Sequence, residues 1–401
     1  MKNIIAVLTF FALFSADVLS CTSFIISGRI TPDGRPLLYK NRDSDCLQNA
    51  LHVFNDGKYR YVAVVNSDST WKTMVWGGYN EAGFAIMNTA AFTNNIGDTV
   101  SVADREGIIM KQALMFCGSV ADFEMMLDTL QRPLGVDANF GVIDAFGAAA
   151  FYETGNDGYV KFDVNDPKVA PDGILVRTNF SETGEKSAGF GFCRYNTARQ
   201  ALDVVRDNKD FSPKKILHDI TRSLQHSLTQ TNLWDNIPTE ADKPDYRFFT
   251  DYISRYGTSS SILIKGTKHG EDAKNTVMWT VMGFPLTTVA VPVWLNHNGD
   301  LPKILSMNEN LQSPLCAANL KLAEVCFPFH NGNGYRYINL SLIVNQQNTG
   351  FLQQVEMIEN EIFNKAKVVK INPTEENVSD FYRWIDGFVA DEYKRKMNVV
   401  L

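Results

Sequence analysis

The sequence lacks the residue patterns that bind zinc and the long apolar runs that cross a membrane. Its six histidines and six cysteines are spread over 401 residues, with no C-x-x-C and no H-E-x-x-H. After residue 20, no stretch approaches the roughly 20 apolar residues that a membrane-spanning helix needs. The sequence therefore predicts no metal site, no other cofactor and no transmembrane span.

The chain also lacks an excess of positive charge. Its 38 Lys and Arg residues face 45 Asp and Glu, which gives a formal net charge of -7. Nucleic acids and anionic membrane surfaces are bound by clustered Lys and Arg. The charge balance therefore argues against both partners.

Cysteine is too sparse for a disulfide scaffold in a chain of this length. The six cysteines are Cys21, Cys46, Cys117, Cys193, Cys316 and Cys326. Cys316 and Cys326 are the closest pair in sequence, which makes them the first candidates for a disulfide bridge. Cys46 is interpreted as a buried or paired cysteine and not as a catalyst.

The first 20 residues are typical of a secretory leader. Lys2 supplies a positive start, residues 4–14 are apolar, and Val18 and Ser20 are small residues at positions minus three and minus one of a cleavage site. This pattern predicts an exported protein, periplasmic or secreted. The mature chain would begin at Cys21 and form a single domain over residues 21–401, with a mostly helical extension from 300 to 401.

A cysteine at this point has two interpretations. Residues 18–21 approximate a lipobox, in which Cys21 would carry a lipid and anchor a surface binding protein. Alternatively, removal of the leader creates an α-amino group, with an ordinary pKa of about 7.7 to 8.0, on the same residue as a thiol. That amine can accept the thiol proton and activate the sulfur as a nucleophile. The apolar segment "TSFIIS" follows Cys21 at once, where a lipoprotein normally has a polar tether.

Short apolar runs dominate the first third of the mature chain, and helical patterns dominate the end. The Pro-Asp-Gly turn in "TPDGRP" predicts a β-hairpin between residues 21–30 and 36–41. Further strands are expected at 60–66, 73–79, 82–88, 139–145, 148–154, 259–266, 276–283 and 287–295. Helices are expected at 103–131, interrupted by Gly118, and at 195–207, 212–227, 351–367 and 373–397, the last after a capped start at Asn372, Pro373 and Glu375.

Several segments resemble the cysteine N-terminal nucleophile hydrolases, which include choloylglycine hydrolases, penicillin V acylases, isopenicillin-N acyltransferases and acid ceramidase. The opening Cys-Thr followed by a hairpin and Arg-x-x-Asp is matched by Cys21, Thr22, Arg42 and Asp45. In this resemblance Cys21 is the nucleophile, Arg42 favours its thiolate and Asp45 orients the α-ammonium group. Asp43 is a rival for the role of Asp45.

Three later segments extend the resemblance. "YNEAGFAIMNTAAF" points to Asn88 and "LVRTNF" points to Asn179, both as donors to a tetrahedral oxyanion. "FCRYNTARQAL" points to Arg194, which would support Asp45 or meet an anionic group of the substrate. The family often places an aromatic residue where this chain has Cys46, so the chain departs from the family pattern at this position.

The resemblance implies an α+β fold with four αββα layers around two central antiparallel sheets. It also implies cleavage of a linear, non-peptide amide through an acyl-thioester on Cys21, with a small-molecule N-acyl amide as substrate. Acyl transfer to another amine is an alternative within the same fold. The identity of the amide and a possible homo-oligomeric assembly stay open.

Overall fold

The computed structural model describes residues 20–99, 103–331, 333–371 and 373–401. The predicted leader lies outside these residues except for Ser20. The strands within the described residues are β1 (Thr22–Ile26), β2 (Leu37–Asp43), β3 (Asn49–Phe54), β4 (Tyr61–Asn66), β5 (Gly78–Asn80), β6 (Ala85–Ala90), β7 (Ala138–Ile143), β8 (Ala149–Thr154), β9 (Tyr159–Asp163), β10 (Ile174–Arg177), β11 (Gln225–His226), β12 (Thr231–Asn232), β13 (Tyr246–Phe248), β14 (Thr258–Lys265), β15 (Val277–Met282), β16 (Ala290–Val293) and β17 (Tyr337–Asn339).

Helices separate and follow these strands. In the described part of the chain they are α1 (Glu106–Phe116), α2 (Val120–Thr129), α3 (Phe192–Asp207), α4 (Pro213–Ile216), α5 (Pro314–Cys326), α6 (Leu340–Ile343), α7 (Phe351–Ile371) and α8 (Glu375–Met397). None of the described helices is long and apolar enough to cross a membrane.

Two large antiparallel sheets form the centre of the molecule. The seven-stranded sheet runs from β3 to β9 in sequence order, so each strand pairs with its neighbour along the chain. The six-stranded sheet has the order β10-β1-β2-β14-β15-β16 and joins distant parts of the chain. The predicted opening hairpin is confirmed as β1 and β2, which are joined by a turn in which Gly34 has a φ of 73°.

The two sheets pack face to face, and helices cover both outer faces. Gly141 in β7 lies where the sheets approach closely, because a Cβ there would collide with Met87 and meet Ile25 of β1. On the outer face of the seven-stranded sheet, Phe123 of α2 packs edge to face against Phe140. On the outer face of the six-stranded sheet, Trp279 stacks on Phe363 of α7 with ring centroids 4.5 Å apart. The predicted αββα layering is therefore confirmed.

The predicted elements agree in type more often than in extent. The helical region 103–131 is two helices that break around Gly118, as predicted, and α3, α7 and α8 lie where helices were expected. The helix predicted at 212–227 is wrong in its second half, because residues 225–226 pair with β12. The strand predicted at 73–79 is mostly turn and begins only at Gly78. Asn372 lies outside the described residues, and Thr374 is the residue that caps α8.

The candidate disulfide between Cys316 and Cys326 is wrong. Both residues belong to α5, and all six cysteines are free thiols. Residues ten positions apart in one helix are separated by about 15 Å, since each residue adds about 1.5 Å. A disulfide requires Cα atoms within about 7 Å, so the helix keeps these two thiols apart.

Candidate active site

Cys21 lies immediately before β1, the strand that pairs with β10 and β2 in the six-stranded sheet. Its side chain is buried, with 7% of its surface exposed, and its Sγ lies 3.8 Å from the main-chain oxygen of Asp43 on β2. The residue also lines a cavity of about 540 Å³. The thiol is therefore held in the fold at the wall of a space large enough for a small molecule.

Two cations from β2 line the same cavity. Lys40 and Arg42 are two residues apart, so they point to the same face of the strand. The guanidinium of Arg42 lies 4.5 Å from the ring centroid of Trp76, and the ammonium of Lys40 lies 5.9 Å from it. Burial lowers the pKa of Arg42 to about 10 and that of Lys40 to about 8, while the nearby Cys21 opposes both shifts. Positive charge beside a thiol favours its thiolate form.

The structure places the two candidate acids very differently. Asp45 is exposed at the edge of the cavity, where it accepts a hydrogen bond from Ser44 at 3.4 Å. Asp43 is buried, and its carboxylate accepts a hydrogen bond from Thr258 at 2.6 Å. Burial raises the pKa of Asp43, and the positive charge of Arg255 opposes this shift. Asp43 is therefore the acid that the fold brings next to Cys21.

Arg255 connects Asp43 to the peptide bond before Cys21. One nitrogen of Arg255, Nη2, lies 2.6 Å from Oδ2 of Asp43 and donates to the carbonyl oxygen of Ser20 at 2.9 Å. Arg255 thus forms an ion pair with Asp43 and a hydrogen bond with the Ser20–Cys21 peptide group. An α-ammonium group formed at Cys21 would arise close to this carboxylate.

Asn88 lies on β6 and lines the cavity beside Lys40 of β2. The ammonium of Lys40 donates to Oδ1 of Asn88 at 2.5 Å, and Nδ2 of Asn88 donates to the carboxylate of Glu106. Glu106 is the first residue of α1 and is buried, which raises its pKa to about 8. The three side chains form a continuous buried row, all of it lining the cavity.

Arg194 and Asn179 lie behind Cys21 and do not line the cavity. Arg194 is 1% exposed, and its Nη1 donates to the carbonyl oxygen of Cys21 at 2.6 Å and to the hydroxyl of Thr22 at 2.9 Å. Its Nη2 donates to Oδ1 of Asn179 at 2.8 Å, while Nδ2 of Asn179 donates to the carbonyl of Ala90 at 2.7 Å. Burial, together with the nearby Arg255, lowers the pKa of Arg194 to about 9. These residues hold the main chain around Cys21.

All six candidate residues therefore surround one position, but in two groups. Cys21, Arg42, Asp45 and Asn88 line the cavity, whereas Asn179 and Arg194 support the chain behind it. The sequence interpretation missed Lys40, Glu106 and Arg255 and ranked Asp43 second. Lys40 and Asp43 repeat the basic-x-x-acidic spacing of Arg42 and Asp45 two residues earlier, and this was a usable signal. No local pattern marks Glu106 or Arg255.

Within the described part of the chain, no group of three or more His, Cys, Asp and Glu side chains is arranged to hold a metal ion. The groups at the cavity are instead a thiol, cations, amides and carboxyls. These can supply a nucleophile, hydrogen-bond donors and proton acceptors.

No protein-family model and no curated protein matches the chain. Solved structures that resemble it include penicillin V acylase from Agrobacterium tumefaciens, with 14% sequence identity, a TM-score of 0.41, and coverage of 69% of this chain and 86% of that chain. Two variants of conjugated bile acid hydrolase from Clostridium perfringens have 12% and 11% identity, both with a TM-score of 0.41, and cover 69% and 70% of this chain and 93% of theirs. No residue role follows from likenesses of this size.

Proposed function

We propose that the protein is an exported amidase that cleaves a linear N-acyl amide with Cys21 as its nucleophile. The observation that carries the proposal is the setting of this cysteine. Its thiol lies at the wall of a cavity that Lys40 and Arg42 also line, and the buried Asp43 is linked through Arg255 to the peptide bond before Cys21. A thiol used only for packing needs neither the cations nor the cavity.

The reaction begins after residues 1–20 are removed. The new α-amino group of Cys21 takes the thiol proton, and the carboxylate of Asp43 together with the carbonyl anchored by Arg194 fixes the position of this residue. The sulfur forms a bond to the carbonyl carbon of the substrate, and the carbonyl oxygen becomes an oxyanion. Asn88 lies at the cavity wall as a donor to that oxyanion.

The second half of the reaction restores the enzyme. The α-ammonium group gives its proton to the substrate nitrogen, the carbon–nitrogen bond breaks, and a thioester remains on Cys21. Water then attacks the thioester with the amine as base, which releases a carboxylic acid and the free thiol. Another amine attacking in place of water would give acyl transfer.

The burial of Cys21 also bears on the lipid-anchor alternative. A diacylglyceryl group attached to Sγ would need an exposed sulfur and room for two acyl chains, whereas this sulfur lies inside the fold. The intact mass of the exported protein separates the two functions. An unmodified chain that begins at Cys21 supports the amidase, and a lipid adduct on Cys21 supports the anchor.

The direct test is a panel of N-acyl amides with the chain that begins at Cys21 and with its Cys21→Ala variant. We expect the wild type to cleave at least one member and the variant to lose at least about 10³-fold in rate, because the covalent step is removed. A trapped thioester, seen as a mass increase on wild type alone, would identify the intermediate. Equal rates in wild type and variant would refute the proposal.

A further inference from the structure

Lys40, Asn88 and Glu106 form a row of buried polar side chains along one wall of the cavity that contains Cys21. They come from three separate elements, β2, β6 and α1. Lys40 donates to Oδ1 of Asn88, and Nδ2 of Asn88 donates to Glu106. The amide of Asn88 is therefore held at both ends: a donor binds its oxygen, and an acceptor binds its nitrogen.

This arrangement selects one orientation of the amide. If the amide of Asn88 were turned by 180°, Nδ2 would face the ammonium of Lys40 and Oδ1 would face the carboxyl group of Glu106. Two donors, Nδ2 and the ammonium of Lys40, would then oppose each other, which is unfavourable in a buried site. Nδ2 carries two hydrogens, and only one is needed for Glu106. The second can be donated into the cavity.

We propose that Glu106 is a positioning residue for the reaction at Cys21: together with Lys40 it fixes the amide of Asn88, so that its second N–H stabilises the substrate oxyanion. The inference rests on the proposed function and adds a residue to it. Glu106 does not touch the substrate in this proposal, because it acts through Asn88.

The burial of Glu106 supports a specific role for its carboxyl group. An apolar side chain would fill the start of α1 without the cost of removing a carboxyl group from water. That cost is visible in the pKa of Glu106, which burial and the neighbouring Asp104 raise to about 8. The main-chain N–H of Glu106 is already bonded to Asp104 at 2.9 Å, so the Glu106 side chain is not needed to start the helix.

The charged groups around the row predict how it responds to pH. Burial lowers the pKa of Lys40 to about 8, Cys21 and Glu106 raise it, and Arg42 lowers it. The groups that face Glu106 are Asp104, Asn88, Lys40 and Asp137. As the pH rises through about 8, Glu106 gains a negative charge that favours the ammonium of Lys40, and above its own pKa Lys40 loses its positive charge. We therefore expect kcat to fall on the alkaline side.

The first test compares Glu106→Ala with Glu106→Gln. Alanine removes the acceptor for Nδ2 of Asn88, and we expect kcat to fall about 10- to 100-fold with KM changed less than about threefold, since an oxyanion donor is typically worth about 10² to 10³ in rate. Glutamine keeps an acceptor oxygen at the same distance along the side chain. It should restore kcat to within about threefold of wild type.

The second test uses the pH profile of Glu106→Gln. Removing the carboxylate takes away a charge that favours the ammonium of Lys40, so the alkaline limb of kcat should move to lower pH. Glu359→Gln is the matched control, because Glu359 is also buried but pairs with Arg222 away from the cavity. The Glu359→Gln variant should lower the midpoint of thermal unfolding without moving the alkaline limb of kcat. Equal movement of the limb in both variants would refute the positioning role.

Crystal structures of the two Glu106 variants give a readout that does not depend on activity. We expect the amide of Asn88 to turn or shift in Glu106→Ala and to stay in place in Glu106→Gln. An unchanged Asn88 in Glu106→Ala, or full kcat in that variant, would overturn the inference. If the wild type cleaved no amide, the proposed function would fail, and the position of Asn88 would still decide whether Glu106 orients it.

Discussion

The two sides of Cys21 differ in what their charged groups bind. On the cavity side, Lys40 and Arg42 lie against Trp76 and face the space that a substrate would enter. On the other side, Arg194 and Arg255 donate to the main-chain oxygens of Cys21 and Ser20. The buried cations thus have two separate roles within one site. Lys40 and Arg42 place positive charge beside the thiol, whereas Arg194 and Arg255 fix the main chain at Ser20 and Cys21.

The comparison predicts different consequences for substitutions on the two sides. Groups on the cavity side are also buried, but they line the space that a substrate would fill, so we expect their substitution to affect the rate more than the stability. Groups behind Cys21 should affect rate and stability together, because each leaves another buried group without its partner.

The largest effect is expected for Asp43→Asn compared with Asp45→Asn. Losing the charge of Asp43 leaves Arg255 buried without its counter-ion and removes the carboxylate next to the new amino group. We expect kcat/KM to fall at least about 10²-fold and the free energy of unfolding to fall by about 3 kcal/mol. Asp45→Asn should change kcat/KM less than about threefold, because Asp45 is exposed. Steady-state kinetics and urea unfolding of both variants measure this, and a larger loss in Asp45→Asn would restore the original assignment.

An intermediate effect is expected for Arg194→Lys. A lysine cannot reproduce the three hydrogen bonds that Arg194 gives to Cys21, Thr22 and Asn179. We expect a loss of about 2 kcal/mol in the free energy of unfolding and about a tenfold loss in kcat. Arg42→Lys is the matched change on the cavity side: it loses the hydrogen bonds from Nη1 to Asn49 and Ser259 but keeps the charge beside the thiol, so we expect a smaller stability loss of about 1 kcal/mol. If both variants lost the same stability, the division between the two sides would be wrong.

The smallest effect is expected from a reducing agent. With all six cysteines free, neither side of the site is held by a disulfide. We expect a reductant to move the thermal midpoint by less than about 1 °C, whereas loss of a native disulfide typically costs 2–5 kcal/mol. Thiol titration of the unfolded chain without reductant should find six groups. Fewer thiols would show that the chain contains a disulfide, contrary to this prediction.

Elements built from local pairing could be predicted from the sequence. Turn residues or hydrophobic periodicity within one short segment predict the opening hairpin, the strands β7 and β8, and the helices α3, α7 and α8. The strands β3, β9 and β10 of the two large sheets were missed, as were the short strands β11, β12, β13 and β17. β9 is largely exposed, and β10 has only four residues. Their pairing is decided by neighbours in the sheets and not by their own composition.

The candidate site divides in the same way. Cys21 became a candidate because a predicted leader boundary and a predicted strand meet there, and Asn88, Asn179 and Arg194 became candidates through the family resemblance. Arg255 and Glu106 are brought to the site from loops and helices far along the chain. The choice between Asp43 and Asp45 depends on which residue lies inside the strand, a boundary that a sequence fixes only to within a few residues.

The burial of Ser20 together with Cys21 has a consequence for the order of events in the life of the chain. A separate protease needs an extended segment that it can bind, whereas in the folded chain the carbonyl between these two residues is buried and bonded to Arg255. An external cut at this bond must therefore come while the polypeptide is still unfolded. In the proposed processing, folding then competes in time with cleavage, and a chain that folds first can no longer be activated by a separate protease.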